Sequence, residues 1–310
     1  MATPSHSPWF EGFEARHHSV NGVQIFARTG GRQGAAPLLL LHGFPQTHAL
    51  WHRVARRLAA DYFLVMPDLR GYGDSSKPPG EPTHANYSKR VMAQDMAQLM
   101  SQLGHDRFAV AGHDRGGRVA HRLALDHAQR VNALCVLDIA PTLDMYEATD
   151  MRFATAYFHW FHLIQPAPLP ERMIGGDAAF YLHWTLGGRG GNSLGHVEPA
   201  ALAEYERCFC RPEAIHGACE DYRAAASIDL EHDRASRAAG QKIACDMRVL
   251  WSARGVVQRL FKPLELWAAQ CAGKVTGQAL PCGHFVPEEL PDETAVALRD
   301  MMSALHGGAG

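Results

Sequence analysis

The 310-residue chain has no apolar run near the roughly 20 residues a membrane-spanning helix needs; runs such as residues 37–41 and 108–111 are strand-sized. Its first twenty residues, MATPSHSPWFEGFEARHHSV, hold no apolar stretch of signal-peptide length. Charge of one sign is not in excess. Lys plus Arg is 30 and Asp plus Glu is 32, a net charge of −2, so no basic field is expected to hold nucleic acid or an anionic membrane. The seven cysteines are odd in number and scattered, which points to reduced thiols and a cytoplasmic protein rather than a disulfide framework. Cys208-x-Cys210 has no second ligand pair at zinc spacing, and the 19 histidines form no HExxH or similar set, so no metal is implied. Repeats and low-complexity tracts are absent apart from the tail 307–310. What is present, 46% hydrophobic and 20% charged residues, is the balance of an ordinary globular protein and excludes general disorder.

The order of elements points to a split α/β architecture. A hairpin is expected over residues 19–29 around Asn21-Gly22. The run PLLLLH at 37–42 is apolar throughout, as in a parallel-sheet strand covered on both faces. A helix (50–60), a strand (62–67), a glycine-rich loop (68–76) and an amphipathic helix (89–103) follow. Then come a strand (108–112), a helix (116–127) and a strand (131–139). Strands alternating with helices imply right-handed βαβ units and a mainly parallel central sheet flanked by helices. From 142 to 227 the sequence is helical and aromatic, with no strand-like run. The α/β rhythm returns with strands at 247–253 and 275–279 and helices at 263–272 and 292–305. The expected division is a core (1–141), a helical cap insertion (142–227) and the remaining core (228–310).

Gly112-His113-Asp114-Arg115-Gly116 follows a strand and opens a helix, the G-x-nucleophile-x-G form of a nucleophile elbow. Glycines suit the tight turn, which thrusts the central side chain into the pocket at the carboxyl end of the sheet. Here that side chain is Asp114. A carboxylate is ionised at neutral pH and needs no base to attack; it suits displacement at an alkyl carbon, giving an alkyl ester that water must open. His42-Gly43-Phe44-Pro45 follows the earlier strand, so Phe44 N–H and Arg115 N–H are the expected oxyanion donors. His284, in Cys282-Gly283-His284-Phe285 after the last strand, stands where such a frame places its base. The acid is not after the penultimate strand, which ends Trp251-Ser252-Ala253-Arg254-Gly255, and Asp246 lies at that strand's wrong end. Asp138, in the apolar Val136-Leu137-Asp138-Ile139, is costly unless paired and is assigned to orient His284. Arg115 and Arg118, three apart at a helix start, form a carboxylate fork. An anionic nucleophile and an anionic substrate about 4 Å apart repel by roughly 4 kcal/mol at an effective dielectric near 20, which two guanidinium groups and the helix N-terminus offset.

With these residues in place, the chain resembles the fluoroacetate (haloacetate) dehalogenases of the α/β-hydrolase superfamily. The likeness runs through HGFPQTHALWHRVA, PDLRGYGDSSKP, AGHDRGGRVAHRLALDH, LDIAPT, YFHWFHLIQPAPLPE, CEDYRAAASIDLEHD and GHFVPEELPDET. The resemblance implies an α/β-hydrolase fold and Asp114, His284 and Asp138 as catalytic residues. It also implies Arg115 and Arg118 on the substrate carboxylate, and His159, Trp160 and Tyr222 as N–H and O–H donors to the leaving halide. A small halogenated carboxylic acid is the implied partner and halide a product; no cofactor is required, and a homodimer is expected. The segment Gly187–Arg189 departs from the family pattern, which places a pocket-lining tryptophan there, so this part of the cap is expected to shape the pocket differently. An epoxide hydrolase would use the same Asp-His-Asp machinery with two cap tyrosines, for which Tyr222, Tyr157 and Tyr181 are candidates. A haloalkane dehalogenase would carry Trp rather than Arg after the nucleophile, and a binding protein without turnover would lack the base or the nucleophile.

Overall fold

The computed structural model describes residues 8–187 and 194–307. Its eight strands form one sheet in the order β1-β2-β4-β3-β5-β6-β7-β8. β1 (Glu14–Val20) and β2 (Val23–Gly31) form the expected hairpin. Asn21 and Gly22 between them both have positive φ, 46° and 79°, as a two-residue hairpin turn of this hand requires. The hairpin starts at Glu14, earlier than expected, because β1 is an edge strand of mostly polar residues and leaves no apolar signature.

β2 pairs antiparallel with β4 (Phe63–Pro67). From there β3 (Pro37–Leu41), β5 (Phe108–His113), β6 (Val131–Leu137), β7 (Asp246–Ser252) and β8 (Val275–Leu280) extend a parallel sheet. Helices α1 (His52–Leu58), α2 (Lys89–Gln102) and α3 (Arg115–Asp126) connect its first half. Leu38 to Leu41 are wholly buried, so the run of four leucines reflects cover on both faces.

Between β6 and β7 the described residues form helices only: α4 (Thr142–Glu147), α5 (Met151–Ala156), α6 (Phe158–Leu163), α7 (Leu169–Gly175), α8 (Ala178–Leu186), α9 (Pro199–Phe209), α10 (Pro212–Ala225) and α11 (Ile228–Ala238), besides a single 3-10 turn. These helices are tied to the rest of the fold by polar contacts. Tyr205 on α9 donates to Glu288 (2.9 Å), and Trp9 Nε1 donates to Glu198 (3.1 Å). After β7 come α12 (Val256–Leu260), α13 (Pro263–Gln270), α14 (Val286–Glu289) and α15 (Pro291–Gly307). The short α12 and α14 were not expected; at five and four residues they hold too few positions to show a helical period.

Candidate active site

Asp114 sits between β5 and α3 with φ 48° and ψ −115°. That backbone is strained by about 1–3 kcal/mol for a non-glycine residue. The neighbouring glycines make it possible. A Cβ on Gly112 would fall 2.4 Å from the Gly116 carbonyl oxygen, and one on Gly116 would fall 2.3 Å from that of His42. The carboxylate is buried, and Phe44 N–H donates to its Oδ1 at 3.0 Å. Burial alone would push its pKa up. The fields of His284, His113, Arg115 and Arg118 outweigh burial and hold it below the ordinary aspartate value, so Asp114 is ionised at neutral pH.

Asp138 follows β6 with φ 51°, which turns its side chain back across the sheet ends. Its Oδ1 accepts from Ser252 N–H (2.9 Å), and its Oδ2 accepts from His284 Nδ1 (2.6 Å). With Nδ1 turned to Asp138, Nε2 is the ring nitrogen left facing Asp114. That Nε2 stands 3.8 Å from Asp114 Oδ2. Ser252 thus fills the end of β7 and serves the acid from β6. His113 Nε2 donates to the His284 carbonyl (2.8 Å). Burial, then the field of His284, lowers the His113 pKa to about 3, so this second imidazole stays neutral.

The two arginines expected to form the fork are both buried and partly engaged. Arg115 is not open to a ligand along its whole edge: Nε donates to Asp221 Oδ2 (2.7 Å) and Nη2 to Asp221 Oδ1 (3.0 Å) and carbonyl (2.9 Å). Among the described residues only Nη1 is buried without a protein partner. Arg118 donates through Nη1 to Thr142 Oγ1 (2.8 Å) and the Ala140 carbonyl (3.2 Å) and through Nη2 to Met145 Sδ (3.4 Å), and its Nε has no partner among the described residues. Each arginine therefore keeps one unpaired donor, and much of the Arg115 charge is met by Asp221. Asp221 in turn accepts from Tyr72 OH (2.6 Å) and is paired with Lys89 Nζ, which also lies 3.5 Å from Asp229. Burial opposes the ionised form of Asp221, but Arg115 and Lys89 pull its pKa far below the usual range.

The three expected halide donors come together beside this network. The Arg115 guanidinium lies over the Tyr222 ring at 4.1 Å, and that of Arg118 over the Trp160 ring at 4.7 Å. His159 and Tyr222 are edge to face at 5.7 Å, and both pack on Phe44. Trp160 is wholly buried, yet its Nε1–H has no protein partner among the described residues. Buried donors are normally satisfied, so this N–H is available to a ligand. Tyr157 flanks His159 at 5.4 Å, whereas Tyr181 stacks on Phe209. Gly187 closes α8; Gly188 and Arg189 lie outside the described residues.

Asp221 and Lys89 escaped sequence reasoning. The available signal was α10 itself: Asp221 shares a buried helix face with Ala214, Ala218 and Ala225, and a carboxylate among alanines calls for a partner. Among the described residues no group of three or more His, Cys, Asp or Glu side chains is placed to hold a metal ion, and no helix is long and apolar enough to cross a membrane.

An Asp on a nucleophile elbow, backed by a histidine and its acid at the carboxyl ends of a parallel sheet, is the arrangement of a hydrolase. Residues 36–202 match the family model of the alpha/beta hydrolase fold. A fluoroacetate dehalogenase from Burkholderia sp is 46% identical over 299 residues, covering 96% of this chain and 97% of the relative. A soluble epoxide hydrolase from Corynebacterium sp. (strain C12) is 34% identical over 90% of this chain and 94% of its own length. Among solved structures, an alpha/beta hydrolase from Nostoc sp PCC 7120 superposes with a TM-score of 0.91 at 52% identity, covering 94% of this chain and 99% of that one. The chain belongs to the haloacetate dehalogenase family of the α/β-hydrolase superfamily.

Proposed function

We propose that this enzyme hydrolyses the carbon–halogen bond of haloacetates, giving glycolate and halide through an ester on Asp114. The observation that carries the reading is the division of labour on one carboxylate. Oδ1 is held by an oxyanion-type N–H, while Oδ2 faces the histidine. Oδ2 attacks the halogen-bearing carbon in line and the halide departs with the bonding pair. Trp160 N–H, with His159 and Tyr222, meets charge that develops only as the bond breaks, so these donors act on rate. Arg115 Nη1 and Arg118 Nε hold the substrate carboxylate.

Cγ=Oδ1 is then the carbonyl of a glycolyl ester. His284 Nε2 takes a proton from water, and the resulting hydroxide adds to Cγ. Phe44 N–H and Arg115 N–H stabilise the charge on Oδ1. Collapse expels glycolate, which recovers the proton from an imidazolium stabilised by Asp138, and the Asp114 carboxylic acid left behind releases its proton to solvent, the one proton the overall hydrolysis sets free. The 3.8 Å separation of His284 from Asp114 is too long for a direct hydrogen bond and fits a base that works through water. No cofactor enters the cycle. Residues 142–227 serve as the cap in this reading. A cytoplasmic setting is in keeping with the seven free cysteines, and a homodimer follows from the family likeness.

Single turnover in heavy-oxygen water tests the ester. The label is expected first in Asp114, with the first glycolate unlabelled; solvent oxygen placed directly in glycolate, with none in the protein, overturns it. A halide-release panel over fluoro-, chloro- and bromoacetate tests the substrate and ranks the halogens. A second reading, epoxide hydrolysis, is favoured by Tyr157 and Tyr222 on either side of His159, two hydroxyls able to protonate an epoxide oxygen. Styrene oxide assayed beside chloroacetate separates the two.

A further inference from the structure

A cleft of about 840 Å³ lies between the cap helices α5, α6 and α8 and the turns after β7 and β8, and both His284 and Asp138 line it. Three arginines line it too: Arg152 on α5, Arg254 after β7 and Arg259 on α12. All three are exposed, and none holds a carboxylate of the described residues. Among the described residues the Arg254 guanidinium donates to the carbonyls of Cys282 (3.3 Å) and Pro281 (3.1 Å). Elsewhere on the surface Arg57, Arg90, Arg207 and Arg299 each hold an acidic partner within 2.8 Å. The one carboxylate among the described residues lining the cleft, Asp138, is 2% exposed and turned to His284. Three cations with no carboxylate partner among the described residues therefore line the same cleft as His284 and Asp138.

We propose that Arg152, Arg254 and Arg259 form a cationic portal that concentrates small carboxylates at the mouth of the active site. The proposal rests on the reading of an anionic haloacetate substrate. A concave mouth with low-dielectric walls focuses the field of its charges and raises the local concentration of counter-ions. The cleft is of the order of one screening length, roughly 10 Å at 0.1 M salt, so a carboxylate anywhere inside it experiences all three charges. These side chains stand apart from the buried Arg115 and Arg118 and touch no reacting atom. Their effect belongs to capture, hence to KM, and it is screened by salt.

The test is the triple variant Arg152→Gln, Arg254→Gln, Arg259→Gln, assayed for halide release from chloroacetate across a series of potassium sulfate concentrations, so that no added halide competes. In the unsubstituted enzyme KM should climb with ionic strength. In the variant KM should be raised at least about fivefold at low ionic strength and respond little to salt, with the loss falling on KM rather than kcat. The single Arg152→Gln variant, on an exposed helix position, should show a smaller change of the same sign and guards against misfolding of the triple. Equal KM values and equal salt responses overturn the portal. If the unsubstituted enzyme releases no halide, the substrate reading falls; the portal is then judged by acetate affinity, read from the fluorescence of Trp184 at the cleft. Weaker acetate binding by the variant upholds it, and unchanged binding overturns it.

Discussion

On the core side of the site each group is held by backbone amides or short ionic hydrogen bonds: Asp114 by Phe44 N–H, Asp138 by Ser252 N–H, and His284 by Asp138. On the cap side the groups are held by aromatic faces and a buried ion cluster. Trp160 and Tyr222 lie under guanidinium groups, and Asp221 is shared among Arg115, Lys89 and Tyr72. The core therefore fixes individual atoms to within a hydrogen bond, whereas the cap fixes a shape and a charge balance. Core substitutions should strike single chemical steps, and cap substitutions should strike stability, substrate affinity and halogen preference together.

The largest effect is expected at Asp114. Asp114→Asn should lower halide release by about 10⁴-fold or more, with mass spectrometry verifying that the amide is intact; turnover retained without reversion to Asp would remove covalent catalysis by this residue. Asp138→Asn comes next, with kcat down about 10³–10⁴-fold because His284 loses the partner that fixes its tautomer. Its first displacement should survive, so the glycolyl ester on Asp114 should accumulate and be detectable by mass after a single mixing. A variant that is slow but never carries the ester would place Asp138 in the first step instead.

On the cap side, Asp221→Asn leaves the buried Arg115 and Lys89 without their carboxylate. Breaking such a pair costs about 3–5 kcal/mol. Urea unfolding should show that loss while KM for chloroacetate rises; unchanged stability would mean that Tyr72 and Asp229 suffice for the two cations. Trp160→Phe keeps the ring beneath Arg118 and removes one N–H. A single transition-state donor is worth about 10²–10³ in kcat at most, and the loss should be greatest for fluoroacetate and smallest for bromoacetate, because fluoride depends most on hydrogen bonding. An equal loss for all halogens would make Trp160 a packing residue.

This division also governs what the sequence alone could tell. Asp114, His284, Asp138 and the loop of Phe44 stand at strand ends, so the roles proposed for them follow from their order along the chain; Asp138 is assigned because no carboxylate follows β7. The sheet was legible for a similar reason, since buried parallel strands are written as unbroken apolar runs such as Leu38 to Leu41. The polar edge strand β1 and the five-residue α12 carry no such pattern. Cap groups are placed by helix packing over long sequence separations, and neither periodicity nor spacing encodes that Arg115 meets Asp221, 106 residues away. Family likeness pointed to His159, Trp160 and Tyr222, but the ion cluster that props up Arg115 appears only once the helices are folded together.

Glu288 offers the finest probe, because it joins the two sides. It lies four residues after His284, accepts from Gln46 Nε2 (2.6 Å) in the loop that carries Phe44, and accepts from Tyr205 (2.9 Å) of the cap. Burial pushes its carboxyl up to about 8, against the pull of Tyr205, Arg53 and Gln46. In the unfolded chain it titrates near the ordinary glutamate value, about 4.3. Between those values the folded protein keeps a proton that the unfolded chain has released. Stability from this group is therefore fullest below the unfolded pKa, falls as pH rises through the window, and levels off above about 8. Glu288→Gln holds the neutral form at every pH. Unfolding midpoints measured across the window should lose part of their downward slope in the variant, which should exceed the unsubstituted protein in stability only on the alkaline side. Parallel slopes would show that Glu288 is ionised in the folded protein and that Gln46 and Tyr205 bind it as an anion.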